Sequence, residues 1–199
     1  PGRTTATAAG LEQQGELGDA SLRLSTTYTQ RPDHIVVDGE VADTSGRDRA
    51  VTVSFRLPVD AIGWTWYDDI HNRQTLENGR RYGAARLMGG DGRRAVALYP
   101  FAALGDGRSA LALAVPMDMP RAFRLCFEPE LGFYANYEFG LSQDTAKFPG
   151  KASFRLFLYR VDPAWGFRSA AQRYYAAHPE FFIKRLPRED SIGSLAEPE

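Results

Sequence analysis

Six consecutive residues, Trp64-Thr-Trp-Tyr-Asp-Asp69, carry the densest chemistry in this chain. On a strand, alternate side chains point to opposite faces, so Trp64 and Trp66 share one face and Thr65 and Tyr67 the other. Two indoles on one face form a flat apolar surface on which the C–H side of a sugar ring can pack. Asp68 and Asp69 follow directly and can accept hydrogen bonds from hydroxyls. The opposing reading is core packing, because tryptophan is highly buried on average. It takes the larger share for at least one indole, while the Asp-Asp pair favours a rim or cleft position for the other.

A second aromatic stretch is Phe133-Tyr-Ala-Asn-Tyr-Glu-Phe139. Phe133, Ala135, Tyr137 and Phe139 share one face, and Tyr134, Asn136 and Glu138 the other. The candidate ligand-binding set is therefore Trp64, Trp66, Tyr67 and Asp69, with Tyr134 or Tyr137 as support from another strand.

Other chemistry is sparse. Asp68, Asp69, Asp118, Glu128, Glu130 and Glu138 offer many carboxylate pairs, but glycoside hydrolysis needs two at a set separation, which sequence does not give. His34, His71 and His178 are isolated, without metal-ligand spacing. There is no Gly-x-Ser-x-Gly elbow, Walker loop or dinucleotide fingerprint. No catalytic residue, metal or cofactor is assigned. The single cysteine, Cys126, lies in a strand-like context and reads as a buried small residue.

The elements that position these residues are mostly strands. Apolar residues alternate over 22–28, 35–41, 51–57 and 154–158, and strand patterns also occupy 94–99, 110–115, 123–127 and 134–141. Arg31-Pro-Asp33, Asp43 to Asp48 and Met88 to Arg93 read as turns. This predicts a mainly β chain, a two-sheet antiparallel β-sandwich with a C-terminal helix. Phe55, Leu57, Leu113, Phe154, Leu156 and Leu158 are its expected core.

The helix is expected over 163–185. Asp162 suits the N-cap and Pro163 the first helical position. Phe167, Ala171, Tyr174 and His178 share a face. Pro179 ends or bends the helix. Trp165, Phe167, Tyr174 and Phe181 are expected to pack on the sandwich. Residues 1–20 read as a flexible lead-in, 21–186 as one domain, and 187–199 as a linker or tail.

The chain has 199 residues, 43% hydrophobic and 25% charged, with a net charge of −1. That balance supplies no global field for nucleic acid or an anionic membrane. No apolar run nears the roughly 20 residues that span a bilayer.

Trp64 to Asp69, Tyr99-Pro-Phe101, Leu111 to Asp118, Phe139-Gly-Leu-Ser142, Trp165-Gly-Phe-Arg168, Tyr174-Tyr175 and Pro179-Glu-Phe-Phe182 together resemble the N-terminal β-sandwich of bacterial glycoside-hydrolase-related proteins. That domain is a supersandwich of the galactose-mutarotase type. The resemblance spans about residues 20–186. It implies a carbohydrate setting and an adjacent C-terminal catalytic domain that the 163–185 helix would connect. The resemblance carries over no catalytic residues. A lone buried thiol fits either a cytoplasmic or an exported bacterial protein (periplasmic or secreted), so the compartment stays open, with export the expectation. The expected partners are a glycan and that domain, with neither nucleic acid nor membrane. The leading expectation is a non-catalytic carbohydrate-associated module that binds glycan or supports its neighbour. The alternatives are a mutarotase-like or glycan-cleaving enzyme using paired carboxylates, and a structural domain-packing module.

Overall fold

The computed structural model describes residues 2–8, 10–84 and 97–183, and the backbone of 86–88 and 94–96. In chain order the strands are β1 (Arg3–Thr7), β2 (Gly10–Leu17), β3 (Leu22–Gln30), β4 (Ile35–Asp43), β5 (Arg49–Leu57), β6 (Thr65–Tyr67), β7 (Gln74–Thr75) and β8 (Tyr82–Gly83). They continue as β9 (Arg86–Met88), β10 (Arg94–Val96), β11 (Phe101–Gly105), β12 (Ala110–Ala114), β13 (Phe123–Glu128), β14 (Gly132–Leu141) and β15 (Lys151–Arg160). Helix α1 (Phe167–Ala176) follows, then a 3₁₀ turn at Pro179–Phe181.

Among the described residues the strands form a large sheet in the order β1-β2-β3-β4-β15-β12-β11-β6-β7, a smaller sheet β5-β14-β13-β8, and a separate β9-β10 pair. The pairings are antiparallel. The expected sandwich is present, and period-two alternation is its cause. Val51 and Val53 on β5, and Phe133, Ala135, Tyr137, Phe139 and Leu141 on β14, meet Val37, Val41, Leu104, Leu113, Phe154 and Leu156 of the large sheet in one apolar layer. Tyr137 stacks on Phe154 at 5.1 Å between ring centroids, and its hydroxyl donates to the Arg155 carbonyl at 2.7 Å. Of the six expected core residues, Leu113, Phe154 and Leu156 are buried. Phe55, Leu57 and Leu158 are only partly buried, packed at the margin of this layer.

The large sheet also buries its outer face, which is why β11, β12 and β15 are apolar on both sides. Ala103, Ala110, Ala112 and Ala114 form a small-residue surface there. Helix α1 lies against it through Phe167, Ala170 and Tyr174. A helix of ten residues is marginal alone in water, so this contact must hold it. Two tyrosines tie the layers in opposite directions. Tyr174 of the helix donates to the Val115 carbonyl at 2.9 Å, and Tyr159 of β15 donates to the Ala170 carbonyl at 3.1 Å. Burial pushes both phenols above their ordinary pKa.

The helix is shorter than the expected 163–185. Asp162 instead starts a turn: its carboxylate accepts from the Ala164 N–H at 2.9 Å, and its carbonyl accepts from Trp165 and Gly166. Gly166 then takes φ 46°, a conformation other residues avoid, and the helix begins only at Phe167. The turn expels Trp165, which is 61% exposed rather than docked, and Phe181 is 51% exposed. Phe167 and Tyr174 pack as expected. His178, not among the residues expected to pack, also lies buried, between Phe157 and Tyr174.

The N-terminal segment, read as a flexible lead-in, is paired. β1 and β2 form a hairpin, and β2 pairs with β3 along its length. Its side chains are mostly exposed, so backbone hydrogen bonding rather than an apolar face places it. The turn expected at Met88–Arg93 falls largely outside the described residues, and the tail at 187–199 lies wholly outside them.

Candidate site at the sheet–helix junction

β6 sorts the aromatic hexapeptide between two environments. Its register on β11 sets Trp66 opposite Leu104 and Tyr67 opposite Ala103. Leu104 faces the inter-sheet core and Ala103 the helix layer, so the two rings part company. Trp66 is fully buried and meets Phe133 edge to face at 5.5 Å. Trp64, just before the strand, packs partly buried against the same core. The two indoles do share a face, but that face is the sandwich interior, where no ligand reaches Trp66. Tyr137 is likewise fully buried. Tyr134 lies on the opposite side of the small sheet, nearly buried, with its hydroxyl on the Glu128 carboxylate. Desolvation and that contact hold its phenol above the ordinary pKa. The structure therefore does not gather Trp64, Trp66, Tyr134 and Tyr137 with the other candidates.

It does bring Tyr67 and Asp69 together, with a partner the sequence reading assigned to packing. Both line a small recess of about 70 Å³ whose other wall is the turn before α1. That wall runs from Pro163 through Trp165 to Arg168. Ile70 and Arg73 complete the loop side.

Each wall is fixed by local structure. Asp69 folds its loop back by accepting the His71 N–H at 2.7 Å. Asp68, next to it, is buried, with 4% exposure. On the other wall, Gly166 sits directly on the Tyr67 ring, with no room for a side chain between them. The recess thus presents an exposed indole, a half-buried phenol, a carboxylate and two guanidinium groups, from Arg73 and Arg168. The sequence signal for the second wall was available in Gly166: a glycine three residues after Pro163 marks a turn as well as it marks a helix interior.

Elsewhere among the described residues two carboxylates meet on one cation: Asp38 and Asp118 both bind Arg155, which offsets part of their charge. Asp118 binds Arg155 at 3.0 Å on the outer side of the large sheet. Glu128 and Glu138 lie outside the small sheet, bound to Arg81 and Arg124. Glu128 pairs with Gly132, six positions along β14 from Glu138. At about 3.3 Å per residue that is some 20 Å, well beyond the roughly 5–9.5 Å of glycosidase pairs. Among the described residues no group of three or more His, Cys, Asp or Glu is placed to hold a metal ion. Nor is any helix long and apolar enough to cross a membrane.

No family model matches the chain, and no curated protein matches it. Solved structures resemble it in fold. A variant of the GH36 alpha-galactosidase AgaA from Geobacillus stearothermophilus aligns with 83% of this chain at 14% identity and a TM-score of 0.49. A Paenibacillus xanthan lyase aligns with 89% at 16% identity and 0.42. A galactose mutarotase-like protein from Lactobacillus casei aligns with 80% at 10% identity and 0.42. This chain spans 25% of the galactosidase, 17% of the lyase and 72% of the mutarotase-like protein. The likeness is one of fold and carries no residue role.

Proposed function

We propose that this chain is a non-catalytic, carbohydrate-associated β-sandwich module, and that it contacts glycan at the recess between β6 and α1. The observation that carries the reading is Trp165. Its indole is 61% exposed at a recess that also holds Tyr67 and Asp69. An aromatic face supplies contact area for the C–H side of a sugar ring, and a carboxylate beside it accepts from hydroxyls. Pockets for small ligands pair apolar walls with a few placed polar groups in this way. The motif resemblance to sandwiches of glycoside-hydrolase-related proteins supports the carbohydrate setting. Glycan-array screening followed by calorimetric titration tests the reading. Saccharide binding that disappears in a folded Trp165→Ala variant supports it, and binding undisturbed by that change removes the recess from the account.

A second reading, support of a neighbouring domain, is favoured by one observation. Tyr175, Phe181, Phe182 and Ile183 are 41–61% exposed around the end of α1. Such a cluster suits burial against another folded unit. The two readings are compatible, because the recess lies at the start of the helix and this cluster at its end.

A further inference from the structure

The recess combines its aromatic wall with basic side chains. Among the described residues, its charged lining residues are Asp69, Arg73 and Arg168. The two arginines come from separate elements, one from the loop after β6 and one from the first turn of α1. Elsewhere, Arg23, Arg49, Arg81, Arg124 and Arg155 each have a carboxylate partner within 3.3 Å. The ion pairs between described residues do not include Arg73 or Arg168. Neither guanidinium stacks on Trp165 or Tyr67; the cation–π contacts among the described residues involve Arg80, Arg121 and Lys147. Among the described residues, then, no carboxylate pairs with either cation and no cation stacks on the indole.

A neutral saccharide would use the indole and Asp69 and leave both guanidinium groups to water. A ligand with an acidic group beside an apolar ring face uses every feature. Guanidinium matches carboxylate and sulfate oxygens through paired N–H donors, and such charge-assisted bonds are the stronger class. We propose that the recess binds an anionic saccharide, its ring on Trp165 and its acidic group held by Arg73 and Arg168. This rests on the glycan reading above and narrows it to the class of sugar.

Calorimetric titration of the full chain separates the two claims. The probes are trigalacturonate, a sulfated galactose trisaccharide, neutral galactotriose and inorganic phosphate. The acidic trisaccharides are expected to bind about ten-fold or more tightly than the neutral one. Their affinity should fall as salt rises from 50 to about 200 mM, since the charges are exposed to screening. Arg73→Gln and Arg168→Gln, at exposed positions, should each weaken acidic binding about ten-fold and leave neutral binding and the melting temperature unchanged. Binding of trigalacturonate alone assigns the acidic group as a carboxylate, and binding of both acidic probes assigns the wider anionic class. Equal affinity for neutral and acidic trisaccharides, lost together in Trp165→Ala, overturns the anionic claim and keeps the glycan reading. Phosphate binding as tight as the acidic trisaccharides also overturns it, because the ring would then contribute nothing. Binding of no saccharide overturns both.

Discussion

The ring of Tyr67 lies against the backbone of Gly166: a methyl group on that glycine would sit 2.6 Å from Cε1 and 2.8 Å from Cζ. This contact sets the turn before the helix on the loop after β6, and so creates the recess. Gly166 also holds φ 46° and ψ −116°. Gly166→Ala is therefore expected to destabilise the fold by about 1–3 kcal/mol from backbone strain, with the ring clash added. Urea denaturation checks this. The double variant with Tyr67→Ala should cost less than the sum of the two single changes, because removing the ring removes the clash.

The two indoles at 66 and 165 should behave oppositely. Trp66 is fully buried against Phe133, so Trp66→Ala is expected to cost about 3–5 kcal/mol. Its indole N–H has no acceptor among the described residues. Trp66→Phe should then cost less than Trp66→Ala, since it keeps most of the ring and removes an unsatisfied donor. Trp165→Ala should change stability by no more than about 0.5 kcal/mol. Thermal melts of the three variants test the ordering.

The tyrosine ties between helix and sheet give a third expectation. Tyr174→Phe removes the phenol donor from the Val115 carbonyl, and Tyr159→Phe removes the donor that the Ala170 carbonyl has beyond its helical one. Each should cost about 1 kcal/mol, and the pair should loosen the helix before the sandwich in amide hydrogen exchange.

Much of this fold was legible because strand parity is a local property. The alternation at 51–57 grouped Val51 with Val53, and that at 133–139 grouped Phe133 with Tyr137, each correctly and without any knowledge of the partner sheet. Parity also separated Trp66 from Tyr67. What it does not report is which face is interior, because β6 lies in a sheet covered on both sides. The indoles consequently looked like a platform while serving as core. The helix start was misplaced for a similar reason. Asp162-Pro163 satisfies the rules for an N-cap, but the same residues also open a turn, and only the Tyr67 ring beneath Gly166 selects the turn. The β1–β2 hairpin escaped notice because its exposed residues, such as Glu12 and Gln14, carry no apolar period.

Stability should fall with acid in two windows. His178 is 3% exposed, and burial lowers its pKa below 6.5, against opposing pulls from Asp118 and Glu180. The folded state therefore binds its proton less readily than the unfolded chain. Its contribution is complete above about pH 6.5 and is lost as pH falls from there through the lowered folded value. Asp43 acts lower. Arg49, Ser45 and the N–H groups of Gly46 and Arg47 hold its carboxyl at about 2. That contribution is present above roughly pH 4 and is lost as pH falls toward 2. Urea midpoints against pH should show both slopes. His178→Phe should flatten the upper slope alone, and Asp43→Asn the lower alone.

The central claim is that the recess between Tyr67 and Trp165, rather than the buried Trp66, contacts glycan. Calorimetric titration of Trp165→Ala with the saccharide that the parent chain binds tests it most directly, with circular dichroism and melting temperature recorded on the same samples. The expected result is loss of binding with both structural readings unchanged. Full binding in that folded variant would contradict the claim.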